Sequence, residues 1–541
     1  MQTRELLSGN EALALSVLYQ GFTLGTGYPG TPSTEILESL ARRCSAAAED
    51  APRVQWATNE KVALEVGLGV AFAGARAIVT MKHVGLNVAA DVLFSSAYTS
   101  IPGALVIVSA DDPGMASSQN EQDNRRYAIA AGIPMLEPCD SQQAFDHLAI
   151  AVQIAERWLM PVIIRMTTRV CHSKSVVSYK PQPTIRRTTE YRRDVQGRVM
   201  LPTYARQAHR QLRHKLAEVA QWAETAEVTQ QIRQDDSLGI ISSGPAALHA
   251  REAAPDASML ILGMAHPFPL AAVKAFVESV TRCIVIEEGD PVLFESARAA
   301  GLNVTKAPDE FRFGELNVHR IRNILSRSAV SEPKPTSGKP PELCKGCPHR
   351  AVFSILIKHG LVIAGDIGCY TLAALPPMSA MDTVVCMGAS IGIGIGLRCA
   401  LTRSLAQRVV SVIGDSTFVH SGITGLVEMV YNAHDSGHVV IVLDNGTTAM
   451  TGLQEHPGTG RTLSREPTAR LSIEAMARAA GVDHVEVIDP CTEADLFERT
   501  LLRRLEQHEL AVIIARHPCV LAAARDHAER GSNCAAAKGT Q

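Results

Sequence analysis

Val409-Val-Ser-Val-Ile-Gly-Asp-Ser-Thr-Phe418, with Leu443-Asp-Asn-Gly446 following downstream, decides the fold. The first stretch is a β-branched apolar strand that runs straight into Gly414-Asp415-Ser416, with a helical stretch soon after. A second apolar strand, Val439-Val-Ile-Val-Leu443, ends in Asp444-Asn445. Asp415 and Asn445 are thirty residues apart, room for one strand–helix–strand crossover. Both are then expected at the carboxyl ends of neighbouring parallel strands, where open α/β sheets bind ligands. A carboxylate and an amide oxygen are hard donors suited to a Mg²⁺ that also holds phosphate oxygens. Gly414 allows close backbone approach, and the helix start beyond it adds amide donors for an anion. A loop of capping Asp and Asn side chains is the competing reading of either piece alone.

Outward from this pair, a further strand at Ala511-Val-Ile-Ile514 completes an α/β unit over 342–525, and the Ala-rich stretch 526–541 reads as a frayed tail. The Pro- and Lys-dense segment within 329–341 reads as a linker. A smaller α/β unit over 237–328 is marked by Leu238-Gly-Ile-Ile-Ser242, Met259-Leu-Ile-Leu262 and Cys283-Ile-Val-Ile-Glu287. Before it, 181–236 is polar, with an amphipathic helix expected around Gln207 to Thr229. The first unit, 1–180, alternates all-apolar runs at 77–81, 104–109 and 161–165 with helical stretches such as Asn59 to Ala73. Such runs suit parallel strands buried on both faces, and the alternation is that of a doubly wound sheet.

The 541 residues are 46% hydrophobic and 20% charged with a net charge of −3, which gives no electrostatic reason to expect nucleic acid or an anionic membrane. The start lacks a basic region followed by an apolar run, so no signal peptide is expected, and the longest apolar runs are strand-length. Twelve scattered cysteines are expected to be reduced thiols in the cytoplasm. Cys344 and Cys347 form the single CxxC, half of what a zinc or four-iron site needs.

Gly414-Asp415-Ser416 through Asn445 resembles the thiamine-diphosphate motif, a Gly-Asp pair followed some thirty residues later by Asn. By that resemblance Asp415, Asn445 and the backbone carbonyl of Thr447 hold Mg²⁺. Thiamine chemistry also needs a buried carboxylate that shares a proton with the aminopyrimidine. Trp56-Ala-Thr-Asn-Glu-Lys-Val-Ala-Leu-Glu65 offers Glu60 and Glu65. Glu60 is preferred because it stands between the strand-like Val54 to Ala57 and the apolar helix, with a salt bridge or a helix-start carboxylate as the competing reading.

Gly27-Tyr-Pro-Gly-Thr-Pro-Ser-Thr-Glu35 resembles the signature of 2-oxoacid:ferredoxin oxidoreductases, most closely the large subunit of the indolepyruvate enzymes. The resemblance continues through Asn59–Glu65, Met81-Lys-His-Val-Gly-Leu-Asn87, Ala110-Asp-Asp-Pro-Gly114 and Ser117–Asn124. It goes on through Cys344-Lys-Gly-Cys-Pro-His-Arg350 and Gly365-Asp-Ile-Gly-Cys-Tyr370, covering about residues 8 to 520. It implies a multi-domain thiamine-diphosphate-binding fold, with pyrimidine and diphosphate domains and a transketolase C-terminal-like domain at about 237–328. The implied activity is oxidative decarboxylation of an aryl-pyruvate in a homodimer, with a small second subunit and an external electron carrier as further partners. Glu60 becomes the cofactor-activating acid. Gly30 and Thr31 become contacts to cofactor or substrate, and Cys347, His349, Gly368, Cys369, Gly388, Gly414 and Ser416 become cofactor-pocket residues. Gly388 opens a helix expected under the diphosphate.

His83, Arg125 and Arg126 could each meet a substrate carboxylate or cap a loop. Glu287-Glu288 reads as an exposed strand end and His266 as a structural histidine. The family's ferredoxin-like module has no counterpart after Cys519, and Cys519 with Cys534 cannot make a four-thiolate set, so no iron–sulfur cluster is expected on this chain. That departure leaves a non-oxidative decarboxylase or carbon–carbon lyase as one alternative and a silent assembly subunit as another. Retention of Glu60, Asp415 and Asn445 disfavours the silent subunit.

Overall fold

The computed structural model describes residues 3–45, 51–180, 191–328 and 341–527. The chain divides into two compact units, Met1–Lys334 and Pro335–Gln541. The expected linker at 329–341 spans that division and lies almost wholly outside the described residues, as does most of the expected tail.

The first unit contains two large sheets. The larger has seven strands in the order Met264–His266, Met135–Leu136, Val162–Thr167, Ala104–Asp111, Arg76–Lys82, Leu24–Gly27 and Arg53–Trp56. All its pairings are parallel except at the Met264–His266 edge, which pairs antiparallel with Met135–Leu136. Ala104–Asp111 is buried along its whole length. Each fully buried Val, Leu or Ile there contributes about 1.5–3 kcal/mol.

Helices between the strands start at side-chain caps. Asn59 Oδ1 accepts the Val62 amide at 2.9 Å and opens Glu60–Phe72, while Asp140 Oδ1 accepts the Gln143 amide at 2.8 Å and opens Ser141–Trp158. Each cap turns the chain back at a strand's carboxyl end, which is what puts Glu60 on that edge of the sheet.

The smaller sheet has five strands, ordered Thr305–Lys306, Cys283–Ile286, Asp235–Ser242, Ala257–Leu262 and Thr229–Ile232. The polar helix runs Pro202–Ala223, earlier than expected, because Pro202 sits in its first turn. Thr229, expected in that helix, instead opens the antiparallel edge strand of this sheet.

The second unit is one parallel sheet ordered Val362–Ala364, Val409–Gly414, His438–Asp444, Leu510–Arg516 and His484–Ile488. Gly414 stands opposite Leu443 in the ladder, so the two strands end side by side. No described helix is long and apolar enough to cross a membrane.

Candidate functional site

In the second unit the chain turns at Gly414 into the short helix Asp415–Thr417, one wide turn Phe418–Gly422, and the helix Ile423–Tyr431. Asp415 is buried; Oδ1 accepts the Ser416 amide at 2.7 Å and Oδ2 the Gly446 amide at 2.8 Å. The Gly446 contact bridges the two strand ends, tying Asp415 to the Asn445 turn. His456 Nε2 lies 3.3 Å from Asp415 Oδ2, and His456 is the one ion-pair partner of Asp415 among the described residues. Burial alone would raise the Asp415 pKa, but His456 and the two amides hold it below the usual carboxylate range. Asn445 Oδ1 accepts the Thr447 amide at 3.2 Å, and Asn445 Nδ2 lies 3.3 Å from His349 Nε2. Burial lowers the His349 pKa to about 4, so its neutral ring nitrogen accepts from the amide.

Two residues that sequence reasoning quoted without a role frame this cradle. Tyr370 is buried, its hydroxyl accepting the Gly414 amide at 2.9 Å and donating to the Ile367 carbonyl at 3.0 Å. A Cβ on Gly414 would stand 2.8 Å from the Tyr370 ring, so that glycine is there to fit the tyrosine. Asp366 is fully buried and accepts the amides of Gly388 and Ser390 at 2.8 and 2.9 Å. The start of the helix Ala389–Ala400 is therefore held by a carboxylate of the chain itself, and the Gly388 amide is already engaged. Gly388 has φ +85°, which favours glycine. His456 was missed because nothing periodic marks it; Gln454-Glu455-His456 is a loop.

The thiols are grouped more fully than the sequence shows. The Cys347 amide donates to the Cys344 carbonyl at 3.1 Å in a turn that has Gly346 facing Val520, and the Cys519 amide donates to the Asn445 carbonyl at 3.0 Å. Burial pushes the Cys369 thiol up to about 12, with Cys519, Cys347 and Cys344 all adding to the effect. Cys347 is raised likewise, by burial and then by Cys344 and Cys519. The CxxC counted as half a site is thus joined by Cys369 and Cys519, beside the Asn445 turn. Cys534 lies outside the described residues. Among those residues the one group of three ligand atoms close enough to share a single ion is elsewhere, at Asp489, Cys491 and His517. The four thiols therefore stand wider than a single ion takes.

In the first unit Glu60 opens its helix and is 6% exposed, whereas Glu65 lies on the exposed face and pairs with Lys61. This separates the two candidates by position. Gly85, at the start of the helix Gly85–Ser96, abuts the Glu60 side chain. Thr31 follows Gly30 and precedes a cis peptide to Pro32. The Gly30 amide donates to Thr34 Oγ1 at 2.9 Å. His83 is fully buried, with Nε2 3.1 Å from the Asn120 carbonyl oxygen and Nδ1 without a hydrogen-bond partner among the described residues. Gly30, His83 and Glu60 all lie at the carboxyl-terminal edge of the seven-stranded sheet.

Arg125 is not free to meet a substrate. It is fully buried, paired with Asp123 at 2.5 Å and Glu287 at 2.7 Å, and donates to the carbonyls of Glu288 and Asp290, each at 2.8 Å. Glu287 and Glu288 were expected at an exposed strand end, but Glu288 is buried and the Glu287 side chain is nearly covered; Glu287 accepts the Leu293 and Phe294 amides as well as Arg125. Arg126 is partly exposed and pairs with Glu295 and Asp290. His266 is half-buried on the edge strand, and burial lowers its pKa to about 4.

Residues 16–234 match the family described as pyruvate flavodoxin/ferredoxin oxidoreductase, thiamine diphosphate-binding, and 366–515 match the C-terminal thiamine pyrophosphate-binding domain of thiamine pyrophosphate enzymes. Indolepyruvate oxidoreductase subunit IorA of Archaeoglobus fulgidus is 37% identical, covering 97% of this chain and 88% of its own. The Pyrococcus abyssi IorA is 35% identical over 96% and 86%. The chain belongs to the indolepyruvate oxidoreductase IorA family. It is a thiamine-diphosphate-dependent 2-oxoacid oxidoreductase. A 2-oxoglutarate:ferredoxin oxidoreductase from Magnetococcus marinus shares the fold, with a TM-score of 0.51 at 16% identity over 60% of this chain and 65% of that one.

The residues of this IorA-family chain fit the cofactor's requirements. Asp415 has a buried carboxylate with two amides and one histidine as partners, and no Lys or Arg ion pair among the described residues. A buried carboxylate held in its charged form without a Lys or Arg partner suits a cation, and the adjoining Asn445 offers a second hard oxygen.

Proposed function

We propose that this chain catalyses the oxidative decarboxylation of an aryl-pyruvate such as indolepyruvate in the cytoplasm, passing electrons to a partner or external carrier. The observation that carries the reading is the juxtaposition of buried Asp415 with the Asn445 turn, in a chain so alike to IorA along almost its whole length. Asp415, Asn445 and the Thr447 carbonyl would hold Mg²⁺ and through it the diphosphate. Bound thiamine diphosphate supplies the carbon nucleophile and the electron sink for loss of CO₂.

Glu60, buried at the start of its helix, would be the residue that hydrogen-bonds the aminopyrimidine of the bound cofactor. Neutral His349 keeps the Asn445 amide oriented. Gly30, Thr31 and His83 line the substrate side; Gly368, Cys369, Gly388, Gly414 and Ser416 shape the backbone around the diphosphate. By this reading 1–180 is the pyrimidine-binding domain, 237–328 the transketolase C-terminal-like domain and 342–525 the diphosphate domain. A homodimer with a small second subunit is the proposed assembly.

Cys344, Cys347, Cys369 and Cys519 would supply the four thiolates that a four-iron cluster needs. The expectation of a chain without a cluster rested on the missing ferredoxin-like module and on Cys519 and Cys534 alone; the present reading counts Cys344, Cys347 and Cys369 with Cys519. The test is an anaerobic assay of viologen reduction with indolepyruvate or phenylpyruvate. Reduction that requires both thiamine diphosphate and Mg²⁺ supports the reading. CO₂ and aldehyde released equally fast without dye overturns it.

A further inference from the structure

We infer that Lys82 is the cation that receives the carboxylate of the 2-oxo acid, an assignment that rests on the function proposed above. Lys82 ends the strand Arg76–Lys82, whose neighbour Leu24–Gly27 leads directly into Gly30 and Thr31. Its stem lies along that loop. A Cβ built on Gly30 would stand 3.0 Å from Lys82 Cβ and 3.7 Å from its Cδ, so the bare backbone of Gly30 is what lets the lysine pass beside Thr31. At the far end Nζ donates to the Ser117 carbonyl oxygen at 2.7 Å.

An ammonium has three donors, and this is the one side-chain hydrogen bond that Lys82 makes among the described residues. The carboxylate of Asp112 attracts Lys82, but the two form no ion pair among the described residues. Asp112 is instead engaged by the Ser117 amide at 2.9 Å, Ser118 Oγ at 2.5 Å and Thr168 Oγ1 at 2.8 Å.

The other cations near this edge of the sheet are each paired with a carboxylate of the chain. Arg165 pairs with Asp111 at 2.6 Å and with Glu137, Arg125 with Asp123 and Glu287, and Arg169 with Glu315 at 2.6 Å. Lys82 alone of these has no ion-pair partner among the described residues, while Arg169, paired with Glu315, leaves its buried Nε without a hydrogen bond. It is half-buried, where attraction to an anion is stronger than in water. Burial depresses its pKa, which Asp112 partly restores, so a bound carboxylate would complete the compensation. The next residue is His83, and three residues on Gly85 abuts Glu60. A carboxylate held at Nζ therefore stands among the residues assigned to the substrate side.

The test uses the holoenzyme with Lys82→Met and Lys82→Arg, and two unreactive probes, 3-phenylpropanoate and 3-phenylpropan-1-ol. Lys82→Met should weaken the propanoate at least about tenfold, the scale of a lost charge-assisted contact, and raise KM for phenylpyruvate in step. Binding of the alcohol and of thiamine diphosphate should stay within about twofold, since neither uses the carboxylate contact, and Lys82→Arg should recover most of the loss. Equal weakening of acid and alcohol, or an unchanged propanoate affinity, overturns the assignment. Wild-type enzyme that turns over phenylpyruvate while Lys82→Met keeps its KM overturns the assignment alone. Wild-type enzyme that turns over no aryl-pyruvate overturns the function on which it rests, and the assignment with it.

Discussion

Gly85 presents a bare Cα to the carboxylate arm of Glu60: a methyl group there would lie 2.7 Å from Glu60 Cγ and 2.9 Å from Oε1. No side chain larger than hydrogen fits while Glu60 keeps its position. Gly85→Ala is expected to displace the carboxylate and lower kcat at least about tenfold, since an ångström of misplacement can cost a hundredfold. Overpacking should cost only about 1–3 kcal/mol, so the variant stays folded. Steady-state kinetics beside a urea titration separate the two effects, and an unchanged kcat would show that Glu60 has no required position.

Tyr370 joins the Gly414 amide to the Ile367 carbonyl through one hydroxyl. Tyr370→Phe keeps the ring against Gly414 but leaves a buried amide without an acceptor. The expected cost is about 1–3 kcal/mol, read as a lower denaturation midpoint. Because the orphaned amide precedes Asp415, the Mg²⁺-dependent affinity for thiamine diphosphate should weaken too. A stability loss without any change in cofactor affinity would make Tyr370 purely structural.

Acid should destabilise the first unit through a histidine remote from the proposed chemistry. His147 is buried on the helix Ser141–Trp158, and burial lowers its pKa from 6.5 to about 4. Between those values the unfolded chain binds a proton that the folded chain refuses, so stability is lost as pH falls from about 6.5 toward 4. At pH 5 the contribution is on the order of 2 kcal/mol. Urea midpoints at pH 7.5 and 5 should therefore differ less in His147→Leu than in the wild type. Equal pH dependence in both proteins would contradict the assignment.

The thiol group makes a separate prediction. Protein purified without oxygen should carry iron and sulfide, and Cys369→Ser should lose both together with viologen reduction while still binding thiamine diphosphate. Iron content unaffected by that substitution would remove the cluster from these four residues.

Asp415 and Asn445 were legible because each follows an uninterrupted β-branched run, and a thirty-residue interval leaves the topology little freedom. Leu24–Gly27 and His484–Ile488 were not, since Leu-Gly-Thr-Gly and His-Val-Glu-Val-Ile lack a continuous apolar run. Glu287 read as exposed because its partner Arg125 is 162 residues away. The four thiols were hidden for the same reason: Cys344, Cys347 and Cys519 all act on Cys369 although they lie far from it in sequence or in a separate segment. Glycines posed a subtler problem. Gly85 and Gly414 were free of any local turn signal, and their need for glycine comes from Glu60 and Tyr370, which pack on them.

The most direct test of the central claim is the exchange rate of the acidic thiazolium C–H of bound thiamine diphosphate with deuterated water, measured by quenched-flow NMR in wild type and Glu60→Gln. If Glu60 is the activating acid, the variant should bind cofactor and Mg²⁺ as the wild type does and exchange at least about a hundredfold more slowly. Wild-type exchange in Glu60→Gln would contradict the account and send the search for the activating group to another carboxylate.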